Sequence, residues 1–238
     1  MKLGFVILDS DVEPVYELNR LVILEQLNRL GVPFRLVYSD PVDPACVLPQ
    51  SVRIVSSSEG HFGERLYRSS LDGFSELRSN YPDLTHFVRT NLSSVFSVAR
   101  LNRILEGLSQ RGLYAGPPCG IYVTDQGRDF IFRSGAGIII TADIVDHLMS
   151  SGLPGSMLPD DVLFGVSLQA CKQIDTPMYS IIDLQTGESG STRRFGEHLI
   201  SLYSSNAFHI RVKNHSGPLR LKIDAPIYRY LWHTMNLG

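Results

Sequence analysis

The chain has 238 residues, of which 43% are hydrophobic, 19% are charged and 9% are aromatic. This composition, with 13 prolines and 20 glycines, excludes a disordered or fibrous protein and predicts one large or two small globular domains. The 22 basic and 24 acidic residues leave a formal net charge of −2. No overall basic field is therefore available to hold nucleic acid or an anionic membrane.

The cysteines and the N-terminus indicate a reducing compartment. Cys46, Cys119 and Cys171 are widely spaced and form no C-x-x-C pair, which argues against a disulfide framework or a structural zinc site. The apolar run at residues 5–8 is followed at once by acidic residues, so we interpret it as a buried strand rather than a signal peptide. No stretch approaches the ~20 apolar residues that span a bilayer. We expect a cytoplasmic protein without an integral membrane segment, and a monomer or weak dimer.

The first half of the chain alternates strands and helices. Short apolar runs predict strands at 5–8, 34–38, 52–55 and 84–88. Helices are predicted at 18–30, 63–78 and 98–108, the first from a stripe formed by Leu18, Leu21, Leu24, Leu27 and Leu30. Strands separated by helices at this spacing predict a mostly parallel sheet with helices on both faces.

The second half is less regular. It predicts strands near 121–123, 130–132, 138–141 and 178–184, and helices near 143–149, 160–171 and 224–235. With no internal repeat and no long linker, the sequence predicts a single α/β domain with an irregular C-terminal half.

Open sheets of this kind bind ligands at the carboxyl ends of their strands. That rule directs attention to Asp9 and to the segments at 56–59 and 89–94. The P-loop, the G-x-G-x-x-G dinucleotide motif and the G-x-S-x-G nucleophile elbow are all absent from the sequence.

Two later segments carry residues suited to chemistry. The glycines of Ser134-Gly135-Ala136-Gly137 allow a ligand to approach the backbone closely. The second segment, Leu158-Pro159-Asp160-Asp161, places two acids directly after a proline, which suits a helix N-terminus. One acid can then cap the helix while the other faces a cleft as a base.

In their order and spacing, these two segments resemble those of the fringe-type and related β-linking galactosyl- and N-acetylglucosaminyl-transferases. The resemblance is clearest over about residues 84–171. It implies a GT-A-like single domain over residues 1–238, with a nucleotide-sugar-binding half at about 1–96. The acceptor-binding half and a C-terminal closing segment would then lie at about 97–238.

The resemblance also implies roles for these residues. Asp161 corresponds to the general base that deprotonates the acceptor hydroxyl, and Asp160 to a helix cap or an acceptor contact. A positioned carboxylate suits this task because a hydroxyl is a weak nucleophile at neutral pH. The segment of Ser134, Gly135, Ala136 and Gly137 would contact the acceptor or the sugar. The alternative is that both acids merely cap the helix.

The chain departs from the resembling group at its metal motif. Where that group carries D-x-D after the fourth strand, Asn91 and Ser93 occupy the two acid positions. Amide and hydroxyl oxygens are poor substitutes for carboxylates around a hard cation, so a divalent manganese or magnesium ion is disfavoured and no metal ligand is assigned. Arg89, Asn91, Ser93 and Ser94 would instead line the donor site. The alternative is an ordinary turn after a strand.

Without a metal, cationic side chains must neutralise the leaving diphosphate. In a strand, His209, Arg211 and Lys213 share one face at period two, and we predict that they bind the donor. The alternative is a half-buried edge strand with a solvated basic face. Two further residues are candidates for donor contacts. For Asp9 the capping of a turn is the favoured alternative and metal binding the least favoured one, and for Arg68 an exposed helix charge is the favoured alternative.

The sequence thus predicts a glycosyltransferase that moves a sugar from a nucleotide-sugar donor to a hydroxyl of a glycan or glycoprotein. Inversion and a UDP-sugar donor are favoured by the resemblance alone. A non-catalytic GT-A-like module that binds a nucleotide sugar or glycan is the alternative, motivated by the loss of the acid pair. A nucleotidyltransferase fits less well because no Gly-rich basic loop follows the first strand.

Overall fold

The structure is a computed structural model that describes residues 2–9, 14–38, 53–55, 61–123, 129–152, 157–169, 171, 173–184, 207–213 and 219–237. The segment at 56–59, singled out as the end of a strand, lies outside the described residues.

The described elements follow the predicted order closely. The helices are α1 (Pro14–Arg29), α2 (Phe62–Asn80), α3 (Val98–Glu106), α4 (Ala142–Ser150), α5 (Asp160–Leu168) and α6 (Leu219–Met235). The strands are β1 (Leu3–Asp9), β2 (Phe34–Tyr38), β3 (Arg53–Val55), β4 (His86–Asn91), β5 (Ser94–Phe96), β6 (Tyr114–Ala115), β7 (Pro118–Val123), β8 (Asp129–Arg133), β9 (Gly137–Thr141), β10 (Ile182–Leu184) and β11 (His209–Val212). None of the helices described is long and apolar enough to cross a membrane.

A six-stranded sheet with the order β3-β2-β1-β4-β9-β6 forms the centre of the domain. Strands β1 to β4 pair in parallel, whereas β9 is antiparallel to both β4 and β6. Five of the six strands therefore run the same way, and the predicted mostly parallel α/β architecture is confirmed. Strands from both halves of the chain build this one sheet.

The sheet is buried on both faces because its apolar strands carry bulky side chains on both sides. Phe5 and Ile7 point into a core shared with α1, α3 and α6. Val6, one position away and therefore on the opposite face, packs with side chains of α2, α4 and α5. The result is a layer of helices on each face of the central sheet.

The buried face of α1 differs from the predicted leucine stripe. The helix that the stripe predicts is present, but Leu18 and Leu21 are 44% and 54% exposed, so the stripe is not the buried face. Two polar contacts fix the rotation of the helix: Asn19 Nδ2 donates to the Leu92 carbonyl at 2.9 Å, and Arg20 pairs with Asp9. The side chains turned inward are Val15, Asn19, Arg20, Val22, Ile23, Gln26 and Leu27.

A smaller sheet adjoins the carboxyl end of β4. Strand β11 pairs with β10 in parallel and with β5 in antiparallel orientation, and β5 begins three residues after the last residue of β4. The predicted strand at 178–184 is shorter than expected, since it spans only Ile182–Leu184. Strands β7 and β8 form a separate antiparallel hairpin next to α5.

Candidate active site

The segments singled out in the sequence meet at one edge of the central sheet. Asn91 ends β4 beside Leu8 of β1, and Thr90 pairs with Gly137 at the start of the antiparallel strand β9. The glycine segment therefore lies at the carboxyl end of β4. Helix α5 begins at the same place, because Asp160 in its first turn pairs with Arg89 of β4. This is the edge where open α/β sheets bind ligands.

Arg89 is buried at the centre of this edge, with 3% of its surface exposed. Its guanidinium forms an ion pair with Asp160 and donates to the Gly135 carbonyl, and its Nε lies 3.4 Å from Ser70 Oγ on α2. Arg89 was predicted to line an open donor site. The structure instead places it below the surface, bound to an acid of the predicted catalytic pair.

Asp161 has different surroundings from Asp160. Its Oδ1 accepts the Val162 N–H at 3.0 Å, and its Oδ2 lies 3.8 Å from the exposed Cys119 thiol. Among the described residues, no cation forms an ion pair with it. Burial raises the pKa of the Asp161 carboxyl, and the charge of Asp160 raises it further. A carboxyl group with a raised pKa is a stronger base when it is ionised, which suits Asp161 to act as a general base.

The glycine segment is packed against protein side chains rather than left open. A Cβ on Gly135 would overlap the Arg89 guanidinium. A Cβ on Gly137 would overlap the Tyr179 hydroxyl and come within 2.6 Å of His209 Cε1. The glycines were predicted to admit a ligand, and what approaches them here is the chain itself. Contact between Ser134, Gly135, Ala136 or Gly137 and a sugar stays a prediction.

The side-chain oxygen of Asn91 accepts hydrogen bonds from within its own turn. Asn91 Oδ1 accepts the Ser93 N–H at 3.1 Å, the Ser93 hydroxyl at 2.7 Å and the Ser94 hydroxyl at 3.4 Å. Ser94 Oγ also donates to the Ala136 carbonyl at 3.0 Å. These residues do not fit a divalent cation, because the oxygen that would have to face it already accepts local donors. Among the described residues, no cluster of three or more His, Cys, Asp or Glu side chains could hold a metal.

The turn is also fixed from outside. The Leu92 carbonyl accepts from Asn19 of α1, and the Ser93 carbonyl accepts the Val212 N–H of β11 at 2.8 Å. In register, Ser94 lies opposite Arg211 across the β5–β11 pair. Asn91, Ser93 and Ser94 therefore form a rigid connection beside β11.

Of the three cations predicted on β11, His209 differs from the expectation. His209 is fully buried, stacks on Phe96 with ring centroids 4.1 Å apart, and lies 3.3 Å from the Tyr179 hydroxyl. Burial, with the nearby charge of Arg211, lowers the pKa of His209 to about 3. The expectation that His209 is a cation is therefore wrong, because both faces of the strand are covered at this position.

Arg211 and Lys213 are half-buried. The Nε of Arg211 is buried and has no hydrogen-bond partner within the part of the chain described. An unpartnered donor of this kind is costly to bury, and Arg211 lies opposite Ser94, directly after the Asn91 turn. Arg211 is therefore the cation best placed for an anionic ligand.

Asp9 and Arg68 already have partners within the protein. Asp9 is buried and accepts two hydrogen bonds from Arg20, at 2.6 and 2.9 Å. Arg68 is paired with Glu64 one turn earlier on α2. Asp9 fills the role of a fixed structural acid at the end of β1, and a donor contact by either residue stays a prediction.

Sequence reasoning missed several residues of this edge. Cys119 was noted only as a cysteine outside any C-x-x-C pair, and its contact with Asp161 depends on how the β7–β8 hairpin lies against α5. Asn19 and Arg20 could have been suspected, since both are polar residues flanked by the apolar positions of a helix. Tyr179 lies in an irregular segment, and no sequence signal points to it.

Comparisons with known proteins were made at the level of sequence and of fold. No protein-family model and no curated protein matches the chain. Among solved structures, it is similar to a glycosyltransferase involved in the glycosylation of the major capsid of PBCV-1, with a TM-score of 0.48 and 9% identity over 97% of this chain and 100% of that one.

Two further solved structures are similar. One is the catalytic domain of Drosophila beta1,4-galactosyltransferase 7 in complex with xylobiose, with a TM-score of 0.41 and 15% identity over 74% of this chain and 64% of that one. The other is A197 from STIV, with a TM-score of 0.43 and 11% identity over 76% and 82%.

Proposed function

We propose that the chain is a glycosyltransferase that moves one sugar from a nucleotide-sugar donor to a hydroxyl of a glycan or glycoprotein. The observation that carries the proposal is the unequal acid pair at the carboxyl edge of the sheet. Asp160 is neutralised by Arg89, whereas burial and the neighbouring acid raise the pKa of Asp161. A carboxyl of that kind at a ligand-binding edge is a candidate for proton transfer.

The proposed reaction is a single inverting displacement. The acceptor oxygen attacks the anomeric carbon of the donor sugar as the bond from that carbon to the diphosphate oxygen breaks. Asp161 takes the proton of the acceptor hydroxyl, and the nucleoside diphosphate departs with the electron pair of the broken bond. A UDP-sugar is the favoured donor on the motif resemblance.

Neutralisation of the leaving group falls to Arg211 in this proposal. It lies opposite Ser94, and unlike Arg89 it is only half-buried. Its Nε–H has no hydrogen-bond partner among the described residues. A guanidinium forms strong, directional hydrogen bonds to phosphate oxygens. The self-satisfied Asn91 turn supports a mechanism in which cationic side chains take the place of a metal.

A non-catalytic module that binds a nucleotide sugar or a glycan is the competing function. It would keep Arg211 and the donor edge but would have no use for an acid with a raised pKa. The state of Asp161 favours the enzyme over this alternative.

The test is a panel of nucleotide sugars, assayed for binding and for donor hydrolysis or transfer, with manganese and with chelator. We expect Asp161→Asn to bind donor but to transfer roughly 10² to 10⁴ times more slowly, the usual contribution of a general base. Arg211→Met should weaken donor binding about 10- to 100-fold through loss of a charged hydrogen bond.

The controls are Asp146→Asn and Arg103→Met. Asp146 pairs with Arg78 in the last turn of α2, and Arg103 is exposed on α3, so neither should change binding or rate. Donor binding without turnover by the wild type would favour the module. Undiminished transfer by Asp161→Asn would remove the base assignment, and loss of activity in chelator would contradict the metal-free mechanism.

A further inference from the structure

Arg89 contacts three different parts of the active-site edge. It projects from β4, pairs with Asp160 on α5, donates to the Gly135 carbonyl before β9 and lies 3.4 Å from Ser70 on α2. With 3% of its surface exposed, it is too deeply buried to bind a ligand at the surface. Its contacts instead determine how these elements sit relative to one another.

The glycine beside it fits this arrangement. Since a Cβ on Gly135 would overlap the guanidinium, any larger residue there would displace Arg89. The Gly135 N–H also interacts with the Asp161 carboxyl. The same peptide segment thus binds Arg89 through a carbonyl and Asp161 through an N–H.

The two acids are separated by this arrangement. Asp160 faces Arg89, and its side chain is 15% exposed. Asp161 faces the Val162 N–H and the Cys119 thiol. Tyr114 of β6, whose hydroxyl accepts the Arg133 N–H at 3.1 Å, is close enough to interact electrostatically with Arg89, Arg133 and Asp161.

We propose that Arg89 is the positioning residue that divides the acid pair. By holding Asp160 in an ion pair, it turns that carboxylate away from the reaction and leaves Asp161 to take the acceptor proton. This inference deepens the proposed function and rests on it for its catalytic meaning. The division itself is a structural property that can be measured without turnover.

The electrostatics are consistent with this division. Burial and the charge of Asp160 raise the pKa of the Asp161 carboxyl, while the charge of Arg89 lowers it. Removing Arg89 should therefore move the titration of Asp161 to higher pH. Removing the charge of Asp160 should move it to lower pH.

The decisive experiment is a carbon-13 NMR titration of the carboxyl carbons of aspartate in the labelled full chain. The variants are Arg89→Met, Arg89→Lys and Asp160→Asn, with Asp161→Asn to assign the resonance. We expect the Asp161 midpoint to rise in Arg89→Met, to fall in Asp160→Asn, and to stay near the wild-type value in Arg89→Lys, which keeps the charge. If Arg89→Met does not fold, an unchanged Asp161 midpoint in Arg89→Lys beside a lowered midpoint in Asp160→Asn still tests the division.

Arg133→Met is the matched control. Arg133 is also a buried arginine, but its guanidinium donates to the Thr176 carbonyl rather than to a carboxylate. This variant should lose stability and leave the Asp161 midpoint where it is. An unchanged midpoint in Arg89→Met, or equal shifts in Arg89→Met and Arg133→Met, would overturn the proposal.

Kinetics with an active donor give a second readout. Displacing the base costs about 10²-fold in rate, so Arg89→Lys should lower kcat, with little change in the KM for the donor. An increase in donor KM at constant kcat would assign Arg89 to the donor and refute a positioning role. If no donor supports turnover, the proposed function fails while the titration still decides whether Arg89 divides the pair.

Discussion

Replacing Gly63 by alanine should slow the proposed transfer reaction more than it lowers the stability of the protein. Gly63 lies buried in the first turn of α2, against the segment that leads into α5. A Cβ at this position would overlap the Leu158 carbonyl oxygen and lie 3.0 Å from the Cα of Pro159. Both neighbours are backbone atoms, so no side chain can swing away, and the backbone before Asp160 has to move.

The size of the effect follows from two opposing terms. Alanine stabilises a helix relative to glycine by up to ~1 kcal/mol, whereas overpacking a close contact costs ~1–3 kcal/mol. The net loss of unfolding free energy should be roughly 1 kcal/mol. Restoring an ordinary C···O separation of about 3.3 Å requires a movement of about 1 Å. A 1 Å misplacement of catalytic groups costs about 10²-fold in rate.

The matched control is Gly73→Ala in the same helix. Its Cβ would come within 2.6 Å of Val6 Cγ1 and 2.8 Å of Val37 Cγ2, so it overpacks the sheet side of α2 instead of the start of α5. Urea denaturation followed by circular dichroism gives the stability of each variant, and the transfer rate is measured on folded protein. We expect similar losses of stability but a rate loss confined to Gly63→Ala. Equal rates in the two variants would refute the link between this packing contact and the position of the acids.

Three further predictions concern single side chains. Asp9→Asn should lower the free energy of unfolding by about 3–5 kcal/mol, because it removes the carboxylate from buried Arg20; a change in donor affinity without loss of stability would show a ligand contact instead. Burial and the charge of Asp161 raise the pKa of the Cys119 thiol, so its alkylation, followed by mass spectrometry, should be slow at neutral pH. Treatment with the alkylating reagent should block transfer in the wild type but not in Cys119→Ser. The base works when it is ionised, and the pKa of Asp161 is raised. As the pH is lowered, the transfer rate should therefore begin to fall above the pH at which an ordinary aspartate becomes protonated. A fall that begins only in the ordinary aspartate range would contradict the assignment.

The strands and helices of the fold could be predicted because short stretches of the sequence determine them. The apolar runs that became β1, β2 and β4 are short, bulky and bounded by turn residues, which is the pattern of strands buried on both faces. The reversal of β9 was not predictable, since nothing in Gly137–Thr141 distinguishes a parallel from an antiparallel partner. The rotation of α1 was missed because buried contacts of Asn19 and Arg20 outweigh the apparent leucine stripe.

The candidate site was predictable in its location but not in its connections. The rule that ligands bind at the carboxyl ends of strands directed attention to Asp9 and to residues 89–94, and the motif resemblance added Asp161. The pairing of Arg89 with Asp160 depends on how α5 docks against β4, a relation between residues 71 positions apart. The neutral state of His209 depends on Phe96 and Tyr179 covering it, which a two-residue alternation in sequence cannot show.

The charges at this edge explain why the small net charge of the chain is compatible with the proposed chemistry. Asp9 is neutralised by Arg20, and Asp160 by Arg89, and both pairs are buried where an unpaired charge would cost several kcal/mol. At the end of β4, the amide oxygen of Asn91 accepts a hydrogen bond from the Ser93 hydroxyl, so this turn adds no charge to the edge. Among the described residues this leaves an acid with a raised pKa, Asp161, and a guanidinium with an unused donor, Arg211. Glycosyl transfer from a nucleotide sugar requires one proton to be accepted and one diphosphate to be released, and the proposed mechanism assigns the first task to Asp161 and the second to Arg211.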